Sequence, residues 1–109
     1  MKKYAFALDL KDDSEKIQEY IQHHQNVWPE VLQSIKESGV KNMEIFHVGN
    51  RLFMLVSVSN DFSIEKDTIG NPENTIEQKW EELMWNYQQK LPFAKSGEKW
   101  VLMDKIFEL

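Results

Sequence analysis

The chain of 109 residues contains no cysteine. Disulfides, thiolate metal sites and thiol nucleophiles are therefore excluded, and a reducing cytoplasm is the expected location. No apolar run approaches the ~18 residues of a membrane-spanning helix, and the opening "MKKYAFALDL" is too short and too acidic at its end for a secretory signal. A membrane is not an expected partner. Positive charge is also in short supply: 13 Lys and Arg against 18 Asp and Glu, interspersed, leave a net charge of -5 and no basic stripe to follow a phosphate backbone. Nucleic acid is not an expected partner either. With only 4 glycines, 3 prolines and no repeat, low-complexity tract or linker, the sequence predicts one domain over residues 1–109. A chain of this length buries about 65% of its unfolded surface around a single core.

What is present is periodic. Tyr4, Phe6, Leu8 and Leu10 alternate with Ala5, Ala7 and Asp9, the period-two pattern of a half-buried strand. "KDDSEKIQEYIQHH" follows, with Asp and Ser at its start and Ile17, Tyr20, Ile21 and His24 at helical spacing. Trp28 stands before Pro29, which pushes it out of the helical region, so the helix breaks there and restarts as "PEVLQSIKESG". Gly39 is a plausible left-handed cap for this second helix. Two alternating runs, "KNMEIFHV" and "RLFMLVSVS", separated only by Gly49 and Asn50, predict a tight antiparallel hairpin. A short helical turn and a loop occupy Asp61 to Asn74, and a helix is predicted from about Thr75 to Lys90 with Ile76, Trp80, Leu83, Met84, Tyr87 and Leu91 on one face. Trp85 falls on the opposite face. "KWVLMDKIFEL" then reads as a closing strand.

This order predicts an α+β fold, the ferredoxin-like split βαβ arrangement with helices on one face of an antiparallel sheet. Apolar side chains occur on both faces of the predicted hairpin: Met43 and Ile45 against Phe46 and Val48, and Phe53 and Leu55 against Leu52, Met54 and Val56. A dimeric α/β barrel, with two sheets packed face to face in a homodimer, covers such a surface.

Tyr20 and His24 are four residues apart and share their face with Ile17 and Ile21, so a phenol and an imidazole point inward. Inside the protein they need hydrogen-bond partners, which a polyhydroxylated ligand in a pocket supplies. The alternative is that both bond to backbone or water in the core. His23 lies off that face and is expected to be solvated, and His47 ranks behind His24 as a catalytic candidate. The three histidines have no metal-ligand spacing, so no metal is assigned. Aromatic faces stack on the C–H faces of sugar rings while Tyr, His and Asn take the hydroxyls, so these residues together have the composition of a monosaccharide pocket. Trp80 and Trp100 equally suit a core. Asp12–Asp13 and Glu81–Glu82 fit a helix start and a solvated face rather than a catalytic dyad.

Tyr20, His24 and Trp28-Pro29-Glu30, with three residues between each and the next, followed after a helix by Gly39 and Asn42, resemble the L-rhamnose mutarotase family. "EQKWEELM", with Trp80, is similar to that family's Gln-Arg-Trp-Trp segment, and "DKIFEL" to its carboxyl end. The resemblance implies interconversion of the α and β anomers of a reducing sugar, L-rhamnose or a related deoxysugar, without cofactor or metal. It implies His24 as the proton donor, Tyr20 holding or polarising the substrate, Trp80 lining the pocket, and Asn42 and Trp28 shaping it. Met43 stands where members carry a sugar-contacting tyrosine, and Glu81 where a second tryptophan is usual. Both are substrate-binding positions by the resemblance, and both point to a related deoxysugar or a divergent paralogue. Small oxygenases and haem-degrading enzymes use the same dimeric fold, and a non-catalytic sugar-binding module is the other alternative.

Overall fold

The computed structural model describes residues 2–109. Strand β1 (Lys2–Leu10) forms the spine of the sheet. Its even-numbered residues face inward, and Phe6, Leu8 and Leu10 are buried there. Helix α1 (Ser14–His24) starts at Asp13, whose Oδ1 accepts from the backbone N–H groups of Glu15 and Lys16 and so satisfies two of the unpaired donors of the first turn. Trp28, with φ -58° and ψ 133°, is extended as a residue before proline should be, and α2 (Pro29–Glu37) begins directly after it. Gly39, at φ 106°, turns the chain out of α2 into β2 (Val40–Val48). The hairpin to β3 (Arg51–Val58) turns at Gly49 and Asn50, as the alternation predicts. β3 then pairs antiparallel with β1, opposing Phe6 to Met54 and Leu8 to Leu52.

Asn74 caps α3 (Thr75–Trp85), its Oδ1 accepting from Ile76 and Glu77. The helix is shorter than its periodicity predicts. It stops at Trp85 rather than continuing to Lys90, because Gln88–Gln89 forms β4 against Leu10 and Asp9 of β1. The free edge of β1 needs backbone partners, and that demand overrides the helical pattern of the segment. The predicted closing strand is likewise reduced to β5 (Val101–Leu102), opposite Ala7 and Phe6. β4 and β5 run in the same direction along the same edge of β1, leaving only Leu8 between their paired positions. They are one strand interrupted by an excursion of residues 90–100.

The sheet order β2-β3-β1-β4, with β5 also on β1, is the ferredoxin-like arrangement expected. Two apolar clusters fill the space between the inner sheet face and the helices. One joins Leu10, Tyr20, Trp80 and Met84, the other Phe6, Met54, Val56 and Phe62. The outer face carries no helix. Phe46 and Val48 remain 52% and 77% exposed there, and Asp9 holds Arg51 through two hydrogen bonds of 2.7 and 3.1 Å. Among the described residues no helix is long and apolar enough to cross a membrane.

Candidate active site

A cavity of about 1050 Å³ opens between the inner sheet face and the three helices. α1 presents Tyr20 and His24 to it, α3 presents Trp80 and Glu81, and β2 presents Met43 from the sheet and Asn42 at the rim, next to the register shift between Val40 and Asn42. Six of the seven residues singled out in the sequence therefore meet around one space. Trp28 stands behind it, its ring edge-on to Trp80 at 5.2 Å, and supports the wall without lining it.

The four-residue step of α1 places the His24 ring against the Tyr20 ring, centroids 4.4 Å apart. His24 Nδ1 lies 2.9 Å from the backbone carbonyl oxygen of Tyr20. A carbonyl only accepts, so Nδ1 carries the proton and Nε2 keeps its lone pair. Burial is the main cause of a His24 pKa below the ordinary 6.5, and the nearby His23 and Lys99 lower it further against the opposing effect of the Tyr20 carbonyl. At neutral pH the imidazole is an uncharged base. Burial also pushes the Tyr20 phenol up to about 12, opposed by a hydrogen bond from Gln88 and aided by the charge of Glu81. Tyr20 is thus a neutral hydroxyl donor throughout the physiological range. Trp80, buried, meets the His24 ring edge-on at 5.5 Å and closes one side.

The remaining sequence candidates separate cleanly. His23 is not solvated as expected: it is half-buried, with Nε2 3.2 Å from the Tyr87 hydroxyl and its ring edge-on to Trp80. The turn after α3 brings Tyr87 back over α1, a long-range contact that the helical period of α1 does not encode. His47 is exposed at the hairpin end and bonds to the Gly49 carbonyl oxygen at 2.8 Å, away from the cavity. Glu81 forms an ion pair with Lys99, whose Nζ also lies 5.1 Å from the centre of the Trp85 ring. The off-face tryptophan of α3 therefore grips the excursion between β4 and β5. That excursion brings Lys99 and Trp100 to the cavity wall.

Two buried polar residues of the lining escape sequence reasoning. Glu77, one turn before Trp80, is buried and accepts from the Asn71 backbone N–H at 2.9 Å, holding the loop at Gly70 and Asn71 to α3. The spacing of Glu77, Trp80, Glu81 and Met84 along one helical stripe was the available signal. Gln88 is buried on β4, and its Nε2 lies 3.4 Å from the Tyr20 hydroxyl. No local pattern points to it, because the periodicity assigns its segment to the helix. Among the described residues no three His, Asp or Glu side chains converge as a metal site requires.

A phenol, a neutral imidazole and an indole around a cavity of this kind can grip a sugar and move a proton on it. Residues 3–109 match the family model described as L-rhamnose mutarotase. The chain belongs to the L-rhamnose mutarotase family. An L-fucose mutarotase of Xanthomonas campestris is 38% identical over 111 residues, a match covering all of this chain and 89% of that one. An L-rhamnose mutarotase of Oceanobacillus iheyensis is 30% identical, with 95% of this chain and 92% of the other covered. The crystal structure of the Formosa agariphila L-rhamnose mutarotase superposes with a TM-score of 0.73 at 26% identity, spanning 100% of this chain and 99% of that one. Membership makes the chain a sugar mutarotase, an isomerase of carbohydrate metabolism.

Proposed function

We propose that this mutarotase acts on a 6-deoxy-L-hexose, with L-fucose the first sugar to test and L-rhamnose the second, and that His24 moves the proton. The observation that carries the reading is the pinned His24 tautomer. With Nδ1 engaged by the Tyr20 carbonyl, the basic Nε2 is the free ring nitrogen, next to a neutral phenol and an indole wall. Nε2 takes the proton of the anomeric hydroxyl. The bond between C1 and the ring oxygen breaks, and the imidazolium returns the proton to that oxygen, leaving the open-chain aldehyde and a neutral imidazole. Rotation about the C1–C2 bond presents the other carbonyl face, and the same steps in reverse close the opposite anomer. Each proton taken is given back, so neither metal nor cofactor enters. The Tyr20 hydroxyl donates to a sugar oxygen and steadies charge on it. One positioned acid or base contributes ~10² to 10⁴ in rate, ample for a reaction that already proceeds in water.

The order of preference between sugars rests on the relative named for L-fucose and on Met43 and Glu81, an apolar stem and a carboxylate where the family resemblance implies a tyrosine and a second tryptophan. A cytoplasmic homodimer belongs to the same reading. The open outer sheet face, with Phe46 and Val48 exposed, supports the dimer, and a chain free of cysteine suits a reducing compartment. The test is two-dimensional exchange NMR on L-fucose, L-rhamnose and their D-enantiomers. Exchange cross-peaks accelerated for an L-6-deoxyhexose support the reading. Acceleration of none, with sugar still raising Tm, makes the protein a binding module.

A further inference from the structure

The side-chain amide of Gln88 is only half used. Gln88 is 4% exposed, its backbone is held by the pairing of β4 with Leu10, and its side chain lies on the cavity wall beside Tyr20. Nε2 donates to the Tyr20 hydroxyl at 3.4 Å, while Oε1 is out of contact with solvent and has no donor. Turning the amide over does not help. Oε1 would then accept from Tyr20, and Nε2 would be left without an acceptor. In either orientation Tyr20 satisfies one end of the amide and the other end waits for a partner.

A buried polar group without a partner destabilises the fold that contains it, and an apolar side chain of the same length would remove that penalty at Oε1 at the expense of one long hydrogen bond, the 3.4 Å contact to Tyr20. The partner that suits both orientations is a hydroxyl, because it donates and accepts. With Nε2 on the Tyr20 oxygen, the Tyr20 proton is free to donate toward the cavity, and Oε1, closed off from solvent without ligand, accepts beside it once the amide turns toward the bound sugar. A donor and an acceptor side by side match one sugar hydroxyl or a neighbouring pair. We propose that Gln88 is a substrate-binding residue that reads one hydroxyl of the sugar together with Tyr20. The inference rests on the mutarotase reading above, and it makes the Gln88–Tyr20 pair a determinant of which sugar is accepted. A site built to bond a hydroxyl rejects the analogue lacking it far more strongly than an apolar pocket rejects an added group.

The test uses the full chain and its Gln88→Met variant with L-fucose, L-rhamnose and monodeoxy analogues of each. In the absence of sugar the variant should melt close to the wild-type temperature, relief of the unpartnered Oε1 offsetting the lost Tyr20 contact. Its KM for the preferred sugar should rise ~10-fold or more with a smaller change in kcat, and it should lose the wild-type discrimination against one monodeoxy analogue. In the wild type, NMR of the Gln88 side-chain amide should show its protons shifting when that sugar is added, a readout that does not require the variant to fold. A variant that melts lower but keeps the wild-type KM, or an amide resonance unmoved at saturating sugar, overturns the proposal. If the wild type exchanges no sugar, the mutarotase reading is what fails; if it does and Gln88→Met binds equally well, only the role of Gln88 falls.

Discussion

His24 has one ring nitrogen committed to the Tyr20 carbonyl and the other free, so its chemistry and its titration are linked. His24→Ala should slow anomer exchange by ~10² or more while the fold persists, and Tyr20→Phe should cost less, because a lost hydrogen bond to substrate is smaller than a lost proton carrier. Exchange rate and melting temperature measured on the same sample distinguish this from a merely structural histidine, whose loss lowers Tm and leaves the rate per folded molecule intact. The lowered His24 pKa has two consequences for pH. The base form persists below pH 6.5, so kcat/KM should stay level through that value and fall only in more acidic solution. The unfolded chain binds the proton at the ordinary pKa while the folded one resists it, so this contribution to stability is present above pH 6.5 and is lost as pH falls through the folded value. Denaturant titrations of wild type and His24→Ala across that window should converge at low pH. At Met43, on the cavity wall, a tyrosine would add a hydroxyl where the flexible methionine offers none, so Met43→Tyr should strengthen L-rhamnose binding. Calorimetry with unchanged affinity for every sugar would show that position 43 does not touch the ligand.

The loop facing α3 depends on a close approach that only glycine allows. Gly70 sits at φ 79°, and a Cβ there would stand 2.7 Å from Glu77 Oε1. Gly49 has a similar φ of 59° but open space around it. Gly49→Ala should therefore carry the backbone penalty alone, ~1–2 kcal/mol, whereas Gly70→Ala adds displacement of the Glu77 carboxylate and loosens the loop over the cavity. Urea unfolding should rank Gly70→Ala below Gly49→Ala in stability, and only Gly70→Ala should also raise KM. Helix ends follow similarly local rules: Asp13 and Asn74 each bond two backbone N–H groups, directly before the two helix starts that the sequence predicts. The last strand does not. Its two short pieces are held by β1 alone, and the excursion between them is braced by Lys99 against Glu81 and Trp85.

For the molecule as a whole, the outer sheet face is the apolar surface that no helix covers. It exposes Phe46 and Val48, with Phe53 and Leu55 half-buried beside them. In the proposed homodimer this face meets its copy, and light scattering should give twice the chain's 13.0 kDa. The association should survive high salt, because apolar burial and not charge drives it. Phe46→Glu should shift the mass toward the monomer, since it would place a charge in the covered face.

Features whose cause lies within about ten residues are legible in the chain itself: the breaks at Trp28–Pro29 and Gly49–Asn50, the start of α3 at Thr75, and the placing of His24 beside Tyr20 four residues away. Periodicity and caps are local, and so they can be read locally. The element order followed from them, and with it the antiparallel sheet and the helical face that holds the cavity. Long-range packing set where α3 stops, drew His23 under Tyr87, and brought Glu77, Gln88 and Lys99 to the same space as His24. Gln88 meets Tyr20 across 68 residues of chain. That contact exists because the free edge of β1 must pair its backbone groups, and the edge captures a segment whose own pattern favours a longer helix.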